Sequence, residues 1–453
     1  MNTLASPESS LPYFDAIIVG AGLGGLSTGL HLKKRGMRVA LLEQASRVGG
    51  LCGTCQFEGR EYVIACNDFG KAMPEWLASV GVRQTFTRHS THIHYEGRRF
   101  SLPPDLRSII HLLPHGADLI RYAKGQKASR ASGFSLYPTV GALVNATVRH
   151  PMVADILKIP AYLMGVSPDT LRLDSLDDEF RFAYGYTQPT TPDGGPQAMA
   201  DAMAECVRET GEIFLGTRYL AHQAESDGIK LVNTDRGQFR CRHLIDATAR
   251  ESAIAPDARR GLPLAMFWLA VDRQYNWPRG VHTNIHYPAG VSSWFGALER
   301  GELPPTFGFH VFKSDLATQG DCNTLNVYFY LPKGQEHPDA DLQSKVHRYV
   351  FSRIESMLPG LNRAIVEQHF ISPTRFTTLH GMSSRVLPVI TAAGEPKPDN
   401  YDADRDIWYA GAASFPPGDH GSAAVLSGKI VADRIAGASA DKRARSHTEG
   451  VPA

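Results

Sequence analysis

The stretch from Asp15 to Glu43 constrains the fold more than any other. It reads Asp15-Ala16-Ile17-Ile18-Val19, then Gly20-Ala21-Gly22-Leu23-Gly24-Gly25, then a helical segment, then Val39-Ala40-Leu41-Leu42-Glu43. A strand, a glycine turn, a helix and a second strand ending in a carboxylate follow one another at dinucleotide-binding spacing. Gly20 permits the tight turn, and Gly22 lets backbone N–H groups approach a pyrophosphate at the start of the helix. Gly25 lets that helix pack close to the strand. The partial positive charge at the helix start suits a diphosphate. Glu43 stands where an acid accepts hydrogen bonds from ribose hydroxyls. Gly-x-Gly-x-x-Gly alone also fits a turn without a ligand, but together the four parts point to a dinucleotide.

A chain of 453 residues exceeds one ordinary core, so two interleaved domains are expected. Its formal charge of +1 gives no global basic bias, and no nucleic-acid partner is expected. Met1 to Pro12 is polar and lacks the apolar core of a secretory leader. No apolar run reaches membrane-spanning length. The expected location is cytoplasmic, with peripheral membrane contact left open. Six cysteines in a chain this long do not make a disulfide scaffold. Cys52 and Cys55 form Cys-x-x-Cys, a candidate redox pair or half of a metal site, but no second pair has zinc spacing, so no metal is expected.

Four residues after Glu43 comes Arg47-Val48-Gly49-Gly50-Leu51-Cys52-Gly53-Thr54. Adjacent glycines after a cationic side chain offer a second close backbone approach to a diphosphate, with the guanidinium placed for charge-assisted contact. A larger cofactor lying extended across the sheet needs this second loop. In these motifs the chain resembles the FAD-containing superfamily of flavin amine oxidases and phytoene desaturase-like enzymes, whose second fingerprint reads acid, a few residues, Arg-x-Gly-Gly. The resemblance implies FAD, contacted by Gly20, Gly22, Gly24, Gly25, Glu43, Gln44, Arg47, Gly49, Gly50, Leu51 and Thr54. Cys52 and Cys55 then occupy variable positions beside the cofactor loop.

The resemblance continues to the C-terminus. Asp193-Gly194-Gly195 opens a helix that leads to a strand and to Arg218-Tyr219, where the superfamily presents backbone groups to the adenine, implying that role for Tyr219. Ala247 and Thr248 follow a further strand at a cofactor-facing turn. Asp406 to Ser414 is a strand entering a small-residue turn, and Pro417-Gly418-Asp419-His420-Gly421-Ser422-Ala423 opens a helix with Ser427-Gly428. This resembles the phytoene desaturase-like ending that encloses the flavin, implying contacts from Gly411, Gly418, Gly421, Ser422 and Ala423. Asp419 and His420 are unusual polar residues at that face and are the candidate catalytic pair, either tuning the flavin or capping the helix.

Between these fingerprints lie two other kinds of sequence. Residues from about Phe100 to Phe182 carry apolar stretches, Leu106 to Leu113 and Val153 to Leu163, that read as helices. Pro263 to Arg375 holds strand-like runs at Ala265–Val271, Val281–Tyr287, Thr306–Phe312, Leu325–Leu331 and Val366–Ile371. Their histidines, His282, His286 and His310, are candidates for proton transfer or for a structural role. The expected fold is α/β, a Rossmann-like FAD-binding domain with an inserted substrate domain of antiparallel sheet plus helices. The FAD-binding domain takes 14–99, 193–260 and 385–437, with a helical cap at 100–192, the sheet at 261–384 and a flexible tail at 438–453.

Only one full dinucleotide fingerprint is present, so no separate module for NAD(P)H is expected. The flavin would be reduced by a small-molecule or peptidyl substrate and reoxidised by O2, a quinone or another carrier. That describes a desaturase or oxidase. Two alternatives stay open: a flavin monooxygenase using NAD(P)H and O2, and a non-catalytic carrier like the Rab GDP-dissociation inhibitors, against which the intact phosphate glycines argue. A strongly lipophilic substrate suits a more apolar insert than this one, with its Arg, His and Asp content. No oligomeric state is expected from the sequence.

Overall fold

The structure, a computed structural model, describes residues 11–448 except 67, 177–187, 227, 249–258, 315, 317–319, 321, 380–389, 392–394 and 419–420. Along the chain, β1 (Tyr13–Val19), α1 (Leu23–Lys33) and β2 (Val39–Glu43) lead to a hairpin, β3 (Thr54–Phe57) and β4 (Arg60–Val63). After α2 (Met73–Ser79) come β5 (Phe86–Arg88), β6 (Ser90–Tyr95) and β7 (Arg98–Leu102). A helical insert holds α3 (Leu106–Leu112), a 3-10 turn, α4 (Gly116–Ala131), α5 (Val140–Thr147), α6 (Pro151–Leu157) and α7 (Ile159–Leu163). The chain returns through β8 (Thr190–Pro192), α8 (Gly195–Arg208), β9 (Glu212–Leu215), β10 (Tyr219–Ala224), β11 (Lys230–Thr234) and β12 (Gly237–Asp246). The last part runs β13 (Arg259–Arg260), β14 (Leu264–Asp272), β15 (Val281–His286), α9 (Val291–Glu299), β16 (Phe309–Lys313), β17 (Cys322–Tyr330), α10 (Ala340–Met357), α11 (Leu361–Ala364) and β18 (Ile365–Ile371). It ends with α12 (Pro373–Leu379), β19 (Ile390–Thr391), β20 (Tyr401–Asp402), β21 (Ile407–Tyr409) and α13 (Gly421–Thr448).

The first sheet runs β10-β11-β12-β1-β2-β9, with β21 on β12 and β20 on β21. β1 pairs in parallel with both β2 and β12, and β12 with β21. Such strands are covered on both faces, so β1 is apolar from Ala16 to Val19, with Phe14, Ala16, Ile17 and Ile18 fully buried. α1 is buried along nearly its whole length between this sheet and its neighbouring helices, which suits a helix of Leu and Gly whose polar Ser27 and Thr28 are small and hydrogen-bonded inward.

The second sheet runs β18-β14-β17-β16-β15-β6-β7. Its pairings are antiparallel except β15 with β6, so the expected antiparallel sheet is mixed at that point. β6 and β7 lie within or across the segment 14–99 drawn as the FAD-binding domain, yet they complete the substrate sheet. That boundary belongs near residue 89. The β3–β4 hairpin fastens the two units. Asn326 Nδ2 donates to the Val63 carbonyl at 2.8 Å and Thr324 Oγ1 to the Glu61 carbonyl at 3.0 Å. Tyr62 of the hairpin stacks on Trp268 of β14, with ring centroids 4.8 Å apart and planes 8° apart.

Within the insert, Thr139 caps α5 by accepting from Ala142 N–H at 3.1 Å, and α5 to α7 bury Leu143, Val144, Val153, Ile159 and Tyr162. α3 is arranged the other way. Asp105 caps it by accepting from Ser108 N–H at 2.8 Å, and Ser108 is its single fully buried residue. Leu106, Ile109 and Ile110 point outward, while Leu112 packs on the core. Among the described residues no helix is long and apolar enough to cross a membrane.

Candidate functional site

Each glycine of the first turn answers to a different neighbour. Gly20 holds a φ of +97°, which favours glycine. A Cβ added at Gly25 would stand 2.0 Å from the Gly20 carbonyl oxygen, and one at Gly24 would stand 2.7 Å from the Gly411 Cα. Both glycines are required by packing. Gly22 is different: a Cβ there meets nothing within 4 Å. It is the N-cap of α1, no side chain caps that end, and the first turn carries no acid. The open space at Gly22 therefore lies before a helix N-terminus, with the polarity that suits an anion.

The second glycine loop forms the other wall. Gly49 bridges Gly22 in parallel and donates its N–H to the Ala21 carbonyl at 2.8 Å. Gly50, at φ +58°, comes so close that its Cβ would lie 3.3 Å from the Gly22 Cα. Glu43 ties the arrangement together, one carboxylate oxygen accepting from Ala21 N–H and the other from Ala45 N–H, each at 2.8 Å. Each oxygen keeps further lone-pair capacity. Arg47 donates through Nη1 to Gln197 Oε1 at 2.9 Å, and burial lowers the pKa of its guanidinium. It lies across Gly53, where a Cβ would meet Nη1 at 2.3 Å.

The other expected contacts divide. Gln44 is exposed at the end of β2. Thr54 is buried, and its hydroxyl donates to the Glu61 carboxylate inside the hairpin. Leu51 packs on the core of the substrate unit. Gly216 and Thr217 N–H donate to the Ala45 and Glu43 carbonyls, both at 2.9 Å, bringing the start of β10 and Tyr219 beside the end of β2. Ala247 N–H donates to the Val19 carbonyl at 2.8 Å, and the Ala247 carbonyl closes on Gly20. Thr248 folds back on Asp246 through its N–H and hydroxyl.

The third fingerprint locks onto the first. A Cβ at Gly428 would lie 2.6 Å from the Gly24 carbonyl oxygen, and Ser27 Oγ donates to the Val425 carbonyl at 2.6 Å, so α13 crosses α1 at contact distance. Gly411 N–H donates to Ser427 Oγ at 3.1 Å, and Asn400 Nδ2 reaches Ser427 Oγ at 3.0 Å and the Phe415 carbonyl at 2.8 Å. The buried Lys397 ammonium donates to the carbonyls of Ala412 and Gly418. At the start of α13, a Cβ on Gly421 would stand 3.1 Å from Leu23 Cδ1 and 3.5 Å from Phe69 Cε1, and Ser422 and Ala423 follow, both buried. The two helix N-termini thus approach one opening. Asp419 and His420, the candidate catalytic pair, lie outside the described residues.

A polar cluster forms where the β5–β8 ladder meets the second sheet, near Phe69, which packs against Gly421 at the start of α13. Phe69 and Thr190 exchange two backbone hydrogen bonds, at 2.9 and 3.0 Å. Next to them, His89 Nε2 lies 2.8 Å from Thr191 Oγ1. His282 occupies a β-bulge, where the pairing of β15 with β6 jumps from Val281↔Ser90 to Thr283↔Thr91. Bulges re-aim the extra side chain. The His282 ring stands 5.6 Å from that of His89 and 5.9 Å from that of Phe312. Burial raises the Asp68 carboxyl above its ordinary value, opposed by the nearby His282. His310 Nδ1 pairs with the Tyr162 hydroxyl at 3.3 Å, and burial pulls its pKa down to about 3, so the ring is neutral. His286 faces α10 instead, bonded to the Tyr349 hydroxyl at 2.9 Å.

The Cys-x-x-Cys spacing does not make a pair. The Cys52 thiol is buried against the Pro196 carbonyl and hydrogen-bonds to Cys66, while Cys55 sits across from Tyr62 in the hairpin. Burial raises both thiols, that of Cys55 to about 11, so neither is a ready thiolate at neutral pH. No group of His, Cys, Asp and Glu among the described residues is arranged to hold a metal. Asp68, Phe69, His89, Thr191, Lys397 and Asn400 escaped the sequence reading, because no fixed spacing ties them to a glycine loop.

Residues 18–68 match the family described as NAD(P)-binding Rossmann-like domain. The chain is 40% identical over 57 residues to an all-trans-retinol 13,14-reductase of Danio rerio, a match spanning 13% of this chain and only 9% of that protein's length. It is 23% identical over 92% of its length to a zeta-carotene-forming phytoene desaturase of Myxococcus xanthus, covering 93% of that protein. An oxidoreductase from Methanosarcina mazei has the same fold, with a TM-score of 0.64 at 15% identity over 92% of this chain and 99% of the other. So does cyclohexylamine oxidase from Brevibacterium oxydans IH-35A, with a TM-score of 0.60 at 16% identity over 94% and 99%. The chain carries a Rossmann-like dinucleotide-binding domain, is similar to a phytoene desaturase along most of its length, and shares its fold with amine oxidases.

Proposed function

We propose that the protein is an FAD-dependent oxidoreductase of the desaturase or oxidase type, acting on an organic substrate. The observation that carries this reading is the opening at Gly22. It is walled by two glycine loops and faced by two helix N-termini, and its glycine is the one in the first turn that protein packing does not demand. Gly22, Gly49 and Gly50 would hold the diphosphate with the N–H groups at the start of α1, and Arg47 would add positive charge nearby. Glu43 would accept from the ribose while still holding the turn, with Gln44 and Tyr219 at the adenosine end. Gly421, Ser422 and Ala423 would bring the positive end of α13 to the flavin ring. When bound, FAD supplies a hydride acceptor; the protein supplies position and field.

The substrate side follows from the cluster around His282. Neutral His310 and the Tyr162 hydroxyl can donate and accept hydrogen bonds without carrying charge. His282, beside Asp68 and His89, is the group placed to hold or take a proton from a substrate lying over the ring. Asp419 and His420 remain candidates on the α13 side. O2 or a quinone would complete the cycle.

The test is cofactor content followed by anaerobic mixing. The purified protein should be yellow with one FAD per chain, and Gly22→Val, which fills the opening, should lose it while remaining folded. A panel of amines, amino acids and isoprenoids, with NAD(P)H as a control, should include an organic compound that bleaches the flavin without oxygen. A colourless wild-type protein that takes up no added FAD ends this reading, and rapid bleaching by NAD(P)H alone replaces it with a monooxygenase.

A further inference from the structure

The helical insert presents a face that the rest of the fold does not explain. α3 is amphipathic in the reverse sense. Ser108 points inward, fully buried, its Oγ accepting from Ser101 N–H at 2.7 Å, while Leu106, Ile109 and Ile110 are 73%, 48% and 60% exposed. Leu113, in the 3-10 turn that follows, is 73% exposed. These four stand at i, i+3, i+4 and i+7, the spacing of one helix face. Single exposed leucines need no explanation, but an aligned set does. Of the eleven large hydrophobic residues exposed among the described ones, six fall between Leu106 and Leu136, with Ile120 and Leu136 completing the group.

The charge of the same segment is as one-sided as its apolar face. From Leu106 to Leu136 it carries Arg107, Arg121, Lys124, Lys127 and Arg130 against one acid, Asp118. That acid is buried, accepting from the N–H groups of Arg149 and His150 and paired with Arg121. Asp105, just before α3, is paired with Arg99. Arg107, Lys124, Lys127 and Arg130 are exposed. A chain with a formal charge of only +1 therefore concentrates exposed positive charge in the same segment that exposes this apolar stripe.

We infer that α3 and α4 dock the protein on the surface of an anionic lipid bilayer, with Leu106, Ile109, Ile110 and Leu113 entering the interface and the exposed basic side chains of α4 meeting the headgroups. The charge decides among occupants. A second copy of this chain would bring the same positive charge face to face with itself. A bilayer of anionic lipid offers both apolar depth and negative charge. Docking by this route requires no membrane-spanning helix, and it does not depend on the FAD reading.

Flotation of the purified protein with phosphatidylcholine vesicles containing phosphatidylglycerol tests it, with pure phosphatidylcholine vesicles alongside. The wild-type protein should float with the anionic vesicles, far less with the neutral ones, and less as salt rises. Ile110→Glu with Leu113→Glu should abolish flotation without lowering Tm, since both side chains are exposed. Lys124→Gln with Lys127→Gln should weaken it by about fivefold for each charge removed. Failure of the wild-type protein to float, flotation that survives the glutamate pair, or a dimer in light scattering that the glutamate pair dissociates would each overturn the inference.

Discussion

Glu43 carries two loads on one carboxylate. It accepts from the Ala21 and Ala45 N–H groups, and Ala21 is fully buried, so Glu43→Ala strands a buried donor at a cost of about 1–3 kcal/mol. The sequence suggested a ribose contact alone; the structure adds the turn itself. Glu43→Ala should therefore lower the Tm of the cofactor-free protein and also raise the FAD dissociation constant by about tenfold or more, for the loss of charge-assisted hydrogen bonds. Glu43→Gln, which keeps one acceptor oxygen, should lie between. An FAD dissociation constant unchanged in Glu43→Ala would remove the residue from the cofactor site. Position along the chain was enough to single out Glu43, because the motif is local. It was enough to make His282 a candidate on its strand, but not to find Asp68 or His89, which come to His282 only through long-range folding and whose own sequence contexts carry no motif.

At the scale of elements, the crossing of α1 and α13 is the tightest joint. Gly24 and Gly428 touch backbone to backbone, and Ser27 fastens the crossing through the Val425 carbonyl. Gly428→Ala puts a methyl 2.6 Å from the Gly24 carbonyl oxygen and 2.8 Å from the Thr28 nitrogen, and neither atom can move alone. The expected loss is about 1–3 kcal/mol, the range for overpacking, read as a lower urea midpoint together with weaker FAD retention. Unchanged stability and FAD content would show that the helices separate freely. The elements themselves were largely legible: the strands at 264–272, 322–330 and 365–371 follow from β-branched and aromatic runs. Their partners were less so. β6 and β7 joined the far sheet through a parallel pairing with β15, a long-range contact that leaves no trace in local periodicity. For α3, composition misled. Counting Arg, His and Asp made the insert look polar, whereas Leu106, Ile109 and Ile110 face outward on that helix beside Arg107.

For the molecule as a whole, buried histidines set the acid limit. Burial lowers His31, His92 and His286 to about 4 and His310 to about 3, from an ordinary 6.5, with positive neighbours such as Arg35, Arg99 and Arg353 adding to the first three. Each is neutral in the fold, while the unfolded chain takes up a proton near 6.5. Between about pH 6.5 and 4 the unfolded state binds more protons, so stability rises with pH across that window and is lost as pH falls through it. Tm should hold above pH 7 and drop steadily from about 6.5 toward 4. His31→Leu, removing one such group beside Trp76, should make the slope shallower. A flat Tm from pH 7 to 4.5 would contradict the assignment of neutral buried rings.

The contact of Gly24 with Gly411 and Gly428 also orders events during protein synthesis. The opening at Gly22 is encoded first, and the loop and helix that close on it are translated almost four hundred codons later. A ribosome must finish α13 before the first glycine turn has its last wall. The early β1–α1–β2 unit emerges and waits, its apolar helix uncovered on the side that α13 will occupy. A chain cut short of Gly411 lacks that wall, so it should keep the first glycine turn yet leave the apolar side of α1 open to aggregation.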